Sequence, residues 1–169
     1  MHLWNQCCIF YSMFNSQILS RFIVENEIDA EVLSLEKETK TVADAAAVLG
    51  VLPEQIIKSV LFLADGEPVI VIAGGTARIA WKRLADYLGI SRRRLKTGKE
   101  EQVLEITGYV VGAVPPFGHR RRIRTIVDTA VYNQSIVYGG GGDTNALMRI
   151  EIGELRRAVG EEVADLSKG

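Results

Sequence analysis

EQIIKSVLFLADGEPVIVIAG, residues 54–74, is the stretch on which the fold turns. Two apolar runs flank Asp65-Gly66, a dipeptide suited to a two-residue turn in which both central residues take positive φ. The first run offers Ile56, Ile57, Val60, Leu61 and Phe62 as core residues. The second opens on Pro68, a residue that a strand accepts at its start. The reading is a β-hairpin inside a sheet. One residue contradicts it: Lys58 stands in the middle of the first apolar run. Its side chain either lays its aliphatic stem on apolar surface with the ammonium in water, or brings a cation to a site.

Outward from the hairpin, the pattern alternates irregularly between helix and strand. Residues 16–26 space Ile18, Leu19, Phe22 and Ile23 as one helical face, and AEVLSL (30–35) alternates as a half-buried strand. Thr41-Val-Ala-Asp44 is a capping box for a helix that stops at Gly50. Further helices are predicted over 79–88 and 100–106, ending at Gly89 and Gly108, and over 153–159. Strands are predicted over 109–114, 123–128, 135–138 and 146–152, ahead of a closing EVADLS. Hairpins mixed with helices imply a mixed sheet in one α+β domain.

The chain has 169 residues, enough for one ordinary domain, and 20 Lys+Arg against 21 Asp+Glu. Such a balance gives no global field toward nucleic acid or membrane, so any RNA contact must be a local patch. Two clusters qualify: Arg92-Arg93-Arg94-Leu-Lys96 and Arg120-Arg121-Arg122-Ile-Arg124. Charge runs are as often plain solvated surface. The adjacent Cys7 and Cys8 supply neither a disulfide framework nor spaced metal ligands, and no metal or cofactor is expected; a reducing cytoplasm fits. Residues 1–20 carry no charged residue, yet Asn5, Gln6, Ser12, Asn15, Ser16 and Gln17 interrupt them, unlike a signal peptide or a membrane span. Residues 1–12 read as an upstream extension, with Met13 as a natural start.

Two loops depart from ordinary usage. GAVPPFG (112–118) sets a glycine against the rigid Pro115-Pro116 pair. YGGGGDTNA (138–146) places four consecutive glycines after a strand, at high cost in backbone entropy, which implies that something approaches that backbone closely. A ligand phosphate or ribose is one such partner, and a mobile turn is the alternative. No Ser-His-Asp or Cys-His arrangement stands out, and His119 sits in what reads as a charged loop. An enzyme built this way works by binding and polarising its substrate rather than through a side-chain nucleophile.

In order and spacing, TVADAAAVLGVLPEQIIKSVLF, DGEPVIVIAGG, LKTGKEEQVLEITGYVVGAVPPFG, VYGGGGDTNALMRIE and EEVADLSK resemble the YbaK-like aminoacyl-tRNA deacylases. These are relatives of the editing domain inserted in bacterial prolyl-tRNA synthetase. The resemblance spans residues 28–168 and divides the chain into an N-terminal extension and helix, 1–27, and a deacylase domain, 28–169. It implies a strongly curved mixed sheet forming a partly open barrel flanked by helices. It also implies hydrolysis of the ester joining a wrong amino acid to the terminal adenosine of tRNA.

The family's functional lysine then falls on Lys58, with Ser59 beside it in the substrate site. Its Gly-x-x-x-Pro loop falls on Gly112 and Pro116, with backbone amides facing the ester carbonyl. Gly139, Gly140, Gly141 and Gly142 would lie against the terminal adenosine or amino acid, and Arg120, Arg121, Arg122 and Arg124 against the tRNA. Members that remove cysteine from proline tRNA carry a serine and an acidic residue where this chain is aligned to have Gly141 and Met148, which points to a more apolar pocket for alanine or another small residue. The implied partners are the acceptor end of aminoacyl-tRNA and a synthetase, with neither DNA nor membrane. The alternatives are a non-catalytic tRNA- or synthetase-binding module of the same fold and a nucleotide-binding regulator.

Overall fold

The computed structural model describes residues 13–168; the adjacent cysteines and the proposed upstream extension lie outside the described residues. The hairpin forms as the sequence predicts. Strands β2 (Ile57–Ala64) and β3 (Glu67–Gly74) pair antiparallel through a turn in which Asp65 has φ 52° and Gly66 φ 83°. On β3, Ile70 and Ile72 enter one core while Val69 and Val71 enter another, and all four are nearly or fully buried. A strand covered on both faces is apolar throughout rather than alternating, which is why PVIVIAG is continuous.

Around this hairpin the five-stranded sheet runs β5-β2-β3-β6-β9. Strand β5 (Leu95–Thr97) pairs antiparallel with β2; β6 (Arg124–Asp128) lies parallel to β3 and β9 (Val163–Ala164) parallel to β6, so the sheet is mixed. A second, antiparallel sheet sets β8 (Ala146–Glu151) between β1 (Ala30–Ser34) and β7 (Ile136–Gly140). Strands β4 (Arg78–Ile79) and β10 (Ser167–Lys168) form a small third sheet. The two larger sheets touch through the parallel bridge Ile56–Tyr138, but the pairings among the described residues do not close into a barrel.

Five α-helices lie among the described residues. Helix α1 (Ser16–Glu25) buries Leu19 and Ile23 in the larger core. Helix α2 (Val42–Leu49) has the expected capping box: Thr41 Oγ1 accepts from Asp44 N at 3.0 Å, Thr41 N donates to Asp44 Oδ2 at 3.2 Å, and Gly50 ends the helix at φ 67°. Helices α3 (Trp81–Leu88), α4 (Glu100–Thr107) and α5 (Ile152–Val159) fall where the spacing puts them. At the C-terminal end, Asp128 Oδ1 accepts from Leu166 N (2.8 Å) and Ser167 N (3.0 Å), which holds Leu166 in the second core.

One predicted element is absent. Residues 109–114 form no strand, although YVVGAV has the composition of one. Tyr109 is fully buried and donates its hydroxyl to Gly118 O at 3.1 Å, its N–H donates to Thr107 Oγ1 at 3.1 Å, and Ala113 N turns back to Val110 O at 3.1 Å. These contacts hold the segment as a turn rather than a ladder strand, and they satisfy the Tyr109 and Ala113 amides.

Candidate functional site

Lys58 sits one residue inside β2, paired with Ala73 of β3. Its ammonium donates to the carbonyl of Ala77, at 2.6 Å, in the turn that follows β3. Partial burial lowers its pKa from the usual lysine value, because the charged form loses water. One contact to Ala77 leaves two of the three N–H donors for a ligand.

The lysine borders a pocket of about 360 Å³. Apolar walls come from Val42 and Ala45 of α2, Ile57 and Leu61 of β2, and Val103 of α4. Lys40 lies at its edge beside Thr39 and Thr41, so the helix cap and the cation belong to one segment. Two lysines are the only charged side chains among the described lining residues, and no His or Cys joins them. Ser59 also lines the pocket, and its hydroxyl is buried without a hydrogen-bond partner. An unsatisfied buried hydroxyl costs about 1–3 kcal/mol.

Opposite stands the loop that was expected to be a strand. Gly112 has φ 89°, a conformation that glycine takes without strain, and a Cβ added there would meet no atom within 4 Å. The Ala113 amide is used in its turn, whereas the amides of Gly112 and Val114, both pocket residues, bond to no other group among the described residues. Val114, Lys40 and Thr97 were not singled out by sequence reasoning, since nothing in a valine or a threonine marks a neighbouring amide or wall. Pro116 is buried behind this wall, its ring against Gly139.

The four glycines are closely approached, as their cost implies, but by protein. A Cβ on Gly139 would meet Ile57, one on Gly140 would lie 2.2 Å from the Val114 carbonyl oxygen, one on Gly141 would strike the Ala146 backbone, and one on Gly142 the backbone of Asn15 and Ser16. Of the four, Gly140 lines the pocket, together with Leu147, its register partner in β8. The neighbouring pair Gly141 and Met148 does not; Met148 is fully buried in the larger core.

The arginine clusters separate in the fold. Arg124 forms a two-pronged ion pair with Glu162, at 2.9 Å and 2.6 Å, which lowers the Glu162 pKa; that guanidinium is engaged within the fold. Arg120 donates to Glu105 O and lies over the Phe14 ring. Arg121 and Arg122 are exposed, and together they border two clefts away from the lysine pocket. In the other cluster, Arg92 stacks on Trp81 at 4.0 Å and Arg94 pairs with Asp65. His119, expected in a charged loop, is instead partly buried, with Nε2 2.7 Å from Pro115 O; burial lowers its pKa.

Comparison with known proteins gives a consistent picture. The model of a family described as the aminoacyl-tRNA editing domain matches residues 36–158. A proline–tRNA ligase of Geobacter sp. (strain M21) is 28% identical over 115 residues, 68% of this chain, and the chain spans only 20% of that ligase. The uncharacterized protein YwhH of Bacillus subtilis (strain 168) is 31% identical over 126 residues, 74% of this chain and 78% of its own length. Among solved structures, one named as a candidate trans-editing enzyme for prolyl tRNA synthetase superposes with a TM-score of 0.85 at 27% identity, over 91% of this chain and 97% of that one. A hypothetical protein superposes with a TM-score of 0.82 at 34% identity, over 89% of this chain and 99% of its own.

Proposed function

The chain belongs to the aminoacyl-tRNA editing domain family, and from that membership we propose that it is a trans-editing hydrolase that removes a wrongly attached small amino acid from tRNA. One observation carries the chemistry. The pocket's lining combines the Lys58 ammonium with residues carrying two unengaged amides, and holds no Asp, Glu, His or Cys among its described residues.

In this reading, Lys58 holds the terminal phosphate or the scissile ester, and it acts more strongly in the partly dehydrated pocket than it would in water. The amides of Gly112 and Val114 donate to the carbonyl oxygen as negative charge develops on it. Water, oriented with the help of the adjacent ribose hydroxyl, adds to the carbonyl carbon. The bond from that carbon to the ribose oxygen then breaks, the ribose oxygen leaves with a proton, and the free amino acid and tRNA depart. The protein contributes position and electrostatics.

Leu147 and Gly140 form the wall that limits the amino-acid side chain, and their apolar character suits alanine or another small aliphatic residue better than a side chain that needs a polar partner. A synthetase gains only about 1–3 kcal/mol of discrimination from one methylene, so a second, hydrolytic pocket adds what binding cannot. Purified protein assayed against a panel of mischarged tRNAs, including Ala- and Cys-tRNA(Pro), tests the proposal. Selective hydrolysis of a small aminoacyl ester is expected. A flat panel with tRNA still bound would leave a non-catalytic binding module.

A further inference from the structure

The segment after Gly112 does more than wall the lysine pocket. Val111, Gly112 and Val114 line that pocket; Pro116 to His119, then Arg121 to Ile123, line a second cleft of about 450 Å³, beyond Pro115 in the chain. Helix α1 supplies Phe22 and its C-cap Asn26 borders this cleft, while α5 supplies Arg157 and Val159. Phe22, partly exposed, brings an aromatic ring to this cleft and stacks on the buried Phe117 at 6.0 Å and 29°.

The rim is basic. No Asp or Glu is among the described residues of the cleft, while Arg121, Arg122 and Arg157 are. Arg157 is spoken for, since it pairs with Glu154 and donates to the Glu27 carbonyl at 2.7 Å. Arg121 and Arg122 are exposed and make no ion pair or hydrogen bond with a described residue. On a chain of net charge −1, two adjacent guanidiniums without an ion-pair partner, at a cleft whose described lining holds no carboxylate, form a local positive patch.

We propose that this cleft binds the single-stranded acceptor end of tRNA, with phosphates on Arg121 and Arg122 and a ribose or base against the partly exposed Phe22 ring. A cationic groove beside aromatic rings is the combination that holds single-stranded nucleic acid without reading its sequence. The spacing agrees. Arg121 follows Gly112 by nine residues, so the two sites lie at most about 30 Å apart, and one extended strand with its last nucleotide in the lysine pocket is proposed to run into the cleft. The assignment rests on the tRNA reading above, but it concerns how RNA is held rather than how the ester is cleaved.

The test therefore uses uncharged RNA and needs no hydrolysis. Binding of fluorescently labelled tRNA is titrated across salt concentrations for the parent and for Arg121→Ala/Arg122→Ala, with a blunt RNA duplex as the second probe. Loss of two single-strand phosphate contacts should reduce the slope of log K against log salt by about 1.4. The parent should prefer tRNA to the blunt duplex. The double variant should keep the parent's melting temperature, because neither side chain is engaged in the fold. An unchanged slope for tRNA would overturn the assignment, as would equal binding of tRNA and blunt duplex by the parent. Failure of the hydrolytic reading is a separate result: no mischarged tRNA cleaved, with these binding differences intact.

Discussion

At the scale of single residues, two glycines and a lysine divide structural from chemical roles. Gly140→Ala drives a methyl group to 2.2 Å from the Val114 carbonyl oxygen, where neither backbone can yield easily, and should cost about 3 kcal/mol or more, read from chemical denaturation. Gly112→Ala meets open space and bears only the strain of positive φ, about 1–2 kcal/mol, so the variant should fold and report on catalysis. Lys58→Met tests the ammonium. It removes the bond to Ala77 O and also a desolvated charge, so the melting temperature should stay within about 4 °C of the parent while turnover falls on the order of 10²–10³-fold. A variant that hydrolyses at the parent's rate would return Lys58 to a purely structural role. Lys58 was legible in the sequence because a cation interrupts an apolar run. The glycine run was legible only as a demand for close approach. Composition could not say whether ligand or protein would meet it, because the contacts at Gly140 and Gly142 come from segments far away in the chain.

At the scale of elements, the capped helix and the hairpin were readable because their signals are local: Thr41 with Asp44, and Asp65 with Gly66. The loop after α4 was not. Its apolar composition suggests a strand, and what prevents one is tertiary, namely a buried tyrosine hydroxyl reaching Gly118 and a histidine ring reaching Pro115. That histidine makes the loop sensitive to acid. Burial lowers the His119 pKa, so between the ordinary histidine value and the lowered one the unfolded chain binds a proton that the folded chain does not. Stability supplied by the neutral ring is present above about pH 6.5 and is lost as pH falls through the folded value. Melting curves from pH 7.5 down to 5 should therefore fall more steeply for the parent than for His119→Gln. Parallel curves would mean that the ring titrates alike in both states.

On the scale of the whole molecule, the mixed α+β class followed from the irregular alternation of elements, whereas the division into separate sheets did not, because it depends on pairings between distant strands. The short strands near the C-terminal end were equally hidden: two residues each, they exist because Asp128 grips the backbone of Leu166 and Ser167. Leu166→Ala, which empties a site only 1% exposed, should lower stability by roughly 2–5 kcal/mol, measured by urea unfolding; a loss under about 1 kcal/mol would show that the tail contributes little. The same long-range pairing sets a timetable. Strands β2 and β3 adjoin in the chain and can close within microseconds, but Ala30 of β1 faces Ile150 of β8, and the Ser16 amide waits for Asp143. At a synthesis rate of about 5–20 residues per second, the roughly 120 residues between β1 and its partner leave that strand unpaired for about 6–24 s. The first strand made is thus among the last to be paired, and throughout that interval its free edge is open to any chain that offers a complementary one.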